Sequence, residues 1–115
     1  MQFDRFTVTL LVLRPDAPKH TEEEANALQD AHMAHLAELH EAGYLLAAGP
    51  LFDEQFRGLS IYNVDPEKAR ELTEQDPAVR AGRFSVEVLP WIVPGGAMTF
   101  APTIFPRSMA DTSGD

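Results

Sequence analysis

One stretch constrains this chain more than any other. Residues 21–42 (TEEEANALQDAHMAHLAELHEA) predict a long helix with both ends marked, set between two short β-type segments. Thr21 followed three residues later by Glu24 is a capping box, and Glu22, Glu23 and Glu24 sit where the helix dipole favours negative charge. Gly43 closes the helix as the residue just past its C-cap. Upstream, residues 6–13 (FTVTLLVL) are apolar and β-branched and stop at the turn signal Arg14-Pro15-Asp16. Downstream, residues 44–48 (YLLAA) make a short strand halted by Gly49-Pro50. That strand is too uniformly apolar for a solvated face and is expected inside a sheet.

The rest of the chain repeats the alternation. Residues 58–64 (GLSIYNV) have period two, with Leu59 and Ile61 on one side and Ser60 and Tyr62 on the other. Asp65-Pro66 supplies an N-cap and a proline at N1 for a second helix over residues 66–73, with Ala69 and Leu72 inward. Asp76-Pro77 opens a loop. Residues 84–89 (FSVEVL) form a fourth strand, Phe84, Val86 and Val88 facing one way, before Pro90-Trp91.

The order β-α-β-β-α-β predicts an α+β, ferredoxin-like fold with a four-stranded antiparallel sheet. At 115 residues the chain holds one such domain, assigned to residues 1–93. Residues 94–115 are an irregular, Pro/Gly-containing C-terminal extension whose last several residues are expected to be mobile. Phe100, Ile104 and Phe105 are too apolar for a free tail and should drape over the domain or a partner subunit. Two helices cover one sheet face, and the bare apolar face asks for a second copy. A homodimer is expected, its sheets face to face as a dimeric α+β barrel.

Composition removes several function classes. Eighteen acidic residues against nine basic give a net charge of -9, which repels nucleic acid and anionic membrane surfaces alike. With no cysteine, thiolate nucleophiles, disulfides and Cys-ligated zinc or iron–sulfur sites are excluded. Glycine-rich phosphate loops, GxSxG and a dinucleotide fingerprint are absent. The N-terminal apolar run is too short to span a membrane and has no signal-peptide pattern, so the expected location is cytoplasmic.

On a helical wheel Ala25, Leu28, His32, Leu36 and Leu39 share one stripe of the first helix. A histidine among leucines needs partners for its nitrogens, since burial without hydrogen bonds costs about 1–3 kcal/mol. His32 is therefore either bonded to a carbonyl or part of an acid–base site. His32 and His35 at i, i+3 could share an ion, but His40 points away and zinc takes three or four ligands, so no metal is expected. Asp76 either caps its own turn or orients an imidazole as a general base requires. Gly49-Pro50 ends a strand and, lacking a side chain at Gly49, could admit a ligand to the backbone. Trp91 is a core anchor or a pocket wall.

The segments HMAHLAELHEAGYLLAAGP and DPAVRAGRFSVEVLPW, at this separation, resemble the YciI-like (YCII-related) family. Members pair H-x-x-x-L-x-x-L-x-x-x-G and an L-x-x-A-G-P strand end with D-P-x-x-x-A-G-x-x-x-x-x-x-x-P-[WF]. The resemblance implies a dimerising ferredoxin-like fold and a His/Asp site, carried by His32 and Asp76, with Ala48, Gly49 and Pro50 as the AGP corner. Many members place an arginine-proline pair just before the histidine, where this chain has Gln29 and Asp30, so an anion would have to meet Arg57 or Arg83. One branch eliminates chloride from a chlorinated hydroxyhydroquinone. The expectation is thus a cofactor-independent lyase or isomerase with His32 and Asp76 as an acid–base pair, and Gly49, Pro50 and Arg57 contacting a small organic substrate. The competing reading is a non-catalytic dimeric module that binds a small ligand or has a regulatory role.

Overall fold

A computed structural model describes residues 1–112. The element order is β1 (Phe3–Leu13), α1 (Glu22–Glu41), β2 (Leu45–Pro50), β3 (Phe56–Tyr62), α2 (Pro66–Glu74), α3 (Pro77–Arg80) and β4 (Phe84–Pro94), followed by a 3₁₀ turn at Met109–Thr112. The four strands form one antiparallel sheet in the order β2-β3-β1-β4. The expected α+β, ferredoxin-like architecture is the observed one.

The helix ends follow the local chemistry. Thr21 accepts the amide of Glu24 at 3.1 Å while Glu24 accepts the amide of Thr21 at 3.0 Å, the reciprocal capping box. At the other end Gly43 adopts φ 88°, and the amides of Gly43 and Tyr44 reach the carbonyls of His40 and Leu39. Only a residue without a Cβ takes that left-handed turn cheaply. Asp65 caps α2 through the amide of Lys68 at 2.8 Å. The core sits between sheet and helices, with Leu39, Leu45, Tyr62, Ala69 and Leu72 buried together. Each such leucine contributes about 1.5–3 kcal/mol through removal from water.

Several expectations need correction. β2 is an edge strand, not an interior one, and it continues through Gly49 and Pro50, which pair with Leu59 and Gly58. Proline is tolerated there because an edge strand has one unpaired side. β4, also an edge, likewise runs on through Pro90 and Trp91 to Pro94. Asp76-Pro77 starts a one-turn helix, α3, where a loop was expected. Ala25 is exposed, because the buried residues of α1, Ala37 and Leu39, lie in its C-terminal half.

The sheet has two unlike faces. Thr7, Thr9, Ser60 and Tyr62 face the helices and are buried, with the Thr7 hydroxyl donating to the Val64 carbonyl at 2.6 Å. Cross-strand register puts Val8 beside Ile61 and Leu89, Leu10 beside Leu59, and Phe6 beside Trp91 on the opposite face. Leu89 and Trp91 are exposed there. Trp91 tilts against Phe6 at 6.4 Å and is not a buried anchor.

After β4 the chain folds back over its own domain as a strap. Phe100 meets Phe6 edge-on at 5.7 Å, and Phe105 stacks on His40 at 3.9 Å. Arg107 pairs with Glu41 at 2.6 Å, and Asp30 accepts the Met109 amide at 2.8 Å. Ile104, expected to be covered, is exposed. The expectation of mobility at the terminus falls in part on residues 113–115, outside the described residues.

Candidate active site

Two elements far apart in sequence build the centre of the site. α1 presents His32 on its inner face, and α3 begins at Asp76 as N-cap. One carboxylate oxygen of Asp76, Oδ1, accepts the amide of Ala78 at 2.8 Å. The other, Oδ2, accepts from Nδ1 of His32 at 2.6 Å. Asp76 is 1% exposed. The two readings of Asp76 are therefore one: capping α3 clamps the carboxylate and aims its second oxygen at the imidazole.

With Nδ1 donating to a carboxylate, the neutral ring carries its lone pair on Nε2. Nε2 has no hydrogen-bond partner in the protein among the described residues. His32 lines a cavity of about 560 Å³ between α1, the ends of β2 and β3, and the strap. That volume suits a small organic molecule. Gly49, Pro50 and Arg57 line the same cavity, while Asp76 stands behind His32 and is not part of the lining. A Cβ added at Gly49 would meet nothing within 4 Å, so the backbone there is open to a ligand.

The site also contains residues that the sequence reading passed over or placed second. Arg83, named there as a stand-in for a missing arginine, lines the cavity together with Arg57. It is positioned by Gly82, whose φ of 81° ends α3 and returns the Arg83 amide to the Ala78 carbonyl at 3.1 Å. The short helix thus holds Asp76 at its start and Arg83 just beyond its end. Its signal was present as an Asp-Pro start and a later glycine, but four residues are too few to show periodicity. Gln29, Ser60 and, from the strap, Phe105, Pro106, Met109 and Thr112 also line the cavity. Trp91 does not.

The other two histidines of α1 have separate employment. His35 Nε2–H donates to the Leu72 carbonyl at 3.1 Å, tying α1 to α2. His40 stacks on Phe105. No cluster of three His, Asp or Glu side chains fit to hold a metal occurs among the described residues. Beneath the pair, the Tyr62 hydroxyl meets Thr73 Oγ1 at 3.1 Å, and Thr73 donates to the Ala69 carbonyl. Burial pushes the Tyr62 hydroxyl up from its ordinary value, the Thr73 hydrogen bond opposing this and the Asp76 charge adding to it.

The model of the YCII-related domain matches residues 8–92 of the chain. The chain belongs to the YCII-related family. The match takes in His32, Asp76 and both arginines of the cavity, and the strap follows it. No curated protein matches this YCII-related chain. Among solved structures it is similar to the 5-chloro-2-hydroxyhydroquinone dehydrochlorinase TftG from Burkholderia phenoliruptrix AC1100, in complex with 2,5-dihydroxybenzoquinone. The TM-score is 0.51 at 21% identity, covering 75% of this chain and 92% of that one. At that identity the likeness is one of fold. No helix of this YCII-related protein, among the described residues, is long and apolar enough to cross a membrane.

Proposed function

We propose that this protein is a small acid–base enzyme, a lyase or isomerase acting on a small organic substrate without a cofactor, with dehydrochlorination as one form the reaction can take. The 2.6 Å bond from His32 to buried Asp76 carries this reading, because it leaves Nε2 as an acceptor on a residue that lines the cavity. Nε2 takes a proton from an acidic C–H or O–H of the substrate, and Asp76 stabilises the imidazolium formed. The same nitrogen returns the proton to another atom in an isomerisation. In an elimination the electrons of the broken C–H bond form a double bond as chloride departs. Gly49, Pro50 and Arg57 contact the substrate. The fold shared with a dehydrochlorinase supports the reaction class by analogy.

The test is a turnover screen with chlorinated and hydroxylated cyclic compounds. A substrate found this way should lose about 10²-fold or more in rate with His32→Gln. Unchanged turnover in His32→Gln would refute the assignment. Binding of such compounds with no conversion of any would make the protein a ligand-binding module.

The reading includes a homodimer. The sheet face away from the helices exposes Leu89 and Trp91 beside Phe6 and Val8, an apolar patch that a second sheet would cover. Sedimentation equilibrium should give twice the chain mass, and Trp91→Glu should give the monomer.

A further inference from the structure

The charge of the cavity is opposite to that of the chain. Acidic residues outnumber basic ones two to one, 18 against 9, yet none of the residues lining the cavity is Asp or Glu. Its charged and titratable lining consists of Arg57, Arg83 and His32. Neither arginine forms a salt bridge with a carboxylate among the described residues. Arg57 makes one long bond, from Nη1 to the Glu54 carbonyl at 3.3 Å, and Arg83 lies over the Phe84 ring at 5.2 Å. Asp53, in the hairpin loop beside Arg57, accepts the amides of Phe56 and Gln55 at 2.8 and 2.9 Å, which do most to lower its carboxyl pKa, and the Arg57 charge adds to this without an ion pair forming. A guanidinium presents five donors in a planar fork, so most of the donors here have no protein acceptor.

From this we infer that the substrate is a small carboxylic acid in its anionic form, its carboxylate held by Arg57 and Arg83 and its apolar body lying against Met33 and Leu36 of α1 and Phe105 and Met109 of the strap. The inference rests on the acid–base reading for what happens to the molecule once bound. Arginine forks match carboxylate geometry, and an anion placed among cations without competing acids gains most from them. A phosphate ester fits less well. The cavity has no lysine, and the N-terminus of α3, the helix nearest Asp76 in sequence, is already occupied by that side chain. The four apolar side chains suit a ring or a branched alkyl body. The strap lies outside residues 8–92, so Phe105 and Met109 line the cavity from beyond the part matched by the family domain.

The experiment titrates the full chain with benzoate, its uncharged isostere benzamide, and inorganic phosphate, following backbone amide shifts by NMR. Benzoate should move the amides of Gly49, Gly58, Ser60 and Phe84, and benzamide and phosphate should bind at least about tenfold more weakly. Arg57→Gln and Arg83→Gln should each weaken benzoate by about tenfold or more, with the remaining spectrum showing an intact fold. His32→Gln should still bind benzoate. Benzamide binding as tightly as benzoate, phosphate binding more tightly, or benzoate indifferent to both arginines overturns the inference, whatever His32 proves to do. Loss of benzoate in the arginine variants together with full turnover in His32→Gln would uphold the anion site and overturn the acid–base reading instead.

Discussion

Replacing Asp76 by alanine and by asparagine separates the two bonds that its buried carboxylate makes. Alanine removes both. The cap on the Ala78 amide contributes about 0.5–2 kcal/mol. The charge-assisted bond to His32 contributes about 1.5–3 kcal/mol. Bonds that share one side chain are not additive, so the expected loss is about 2–4 kcal/mol, or about 8–16 °C in Tm for a domain of this size. Asparagine keeps an oxygen for Ala78 and turns an amide N–H toward His32. Nδ1 must then accept, which moves the ring proton to Nε2. The charged bond becomes a neutral one of about half the strength, and the expected loss is about 1 kcal/mol. Turnover should fall as far as with alanine, because the nitrogen left for the cavity is now a donor. Urea unfolding at unchanged m-value gives the two losses, and ¹⁵N shifts of labelled histidine report the tautomer. Equal losses for the two variants, or a ring proton still on Nδ1 in the asparagine variant, would refute the reasoning.

Three further perturbations probe the supports of the site. Gly82→Ala forces a Cβ into a left-handed turn at φ 81°, so it should cost about 1–2 kcal/mol in urea unfolding, with Gly82→Asn costing less; an alanine variant as stable as the parent would contradict the turn. Phe105→Ala removes a half-buried ring that stacks on His40 and packs against the core, an expected loss of about 1–2 kcal/mol with a wider cavity, and an unchanged midpoint would mean that the strap is not seated in solution. Tyr62 is held above its ordinary value, chiefly by burial, so the folded state binds its proton more tightly than the unfolded chain does. Its contribution is complete below about pH 10 and is lost as pH rises through the folded value; Tyr62→Phe should flatten that alkaline decline, measured as urea midpoints from about pH 9 to 11.

Much of the fold was legible because its signals are local. Thr21 with Glu24, Asp65 with Pro66, and Gly43 each act within one turn of backbone, and each end was read correctly. Strand limits were less legible. Pro50 and Pro90 read as terminators, yet both sit on edge strands, and edge position is a property of sheet order that no single segment carries. The interior placement expected of β2 failed for the same reason, since its apolar residues reflect packing under α1 and not a strand on either side.

In the site, the wheel position of His32 and the turn chemistry of Asp76 were visible separately, and their pairing entered through resemblance to a family. The 2.6 Å contact spans 44 residues of sequence and exists because α1 packs on α3. Arg83 depends on a glycine turn after a four-residue helix, and the wall formed by Phe105 and Met109 depends on the strap returning along α1. What the sequence determined alone is where the chain bends, caps and pairs its charges with the helix dipole, because those forces act over a few residues. Tertiary structure alone decided which strands lie at the edge, that the Asp76 carboxylate bridges a cap and an imidazole, and that a strongly acidic chain encloses a cavity lined by arginines, because burial and charge placement arise only when distant segments share one space.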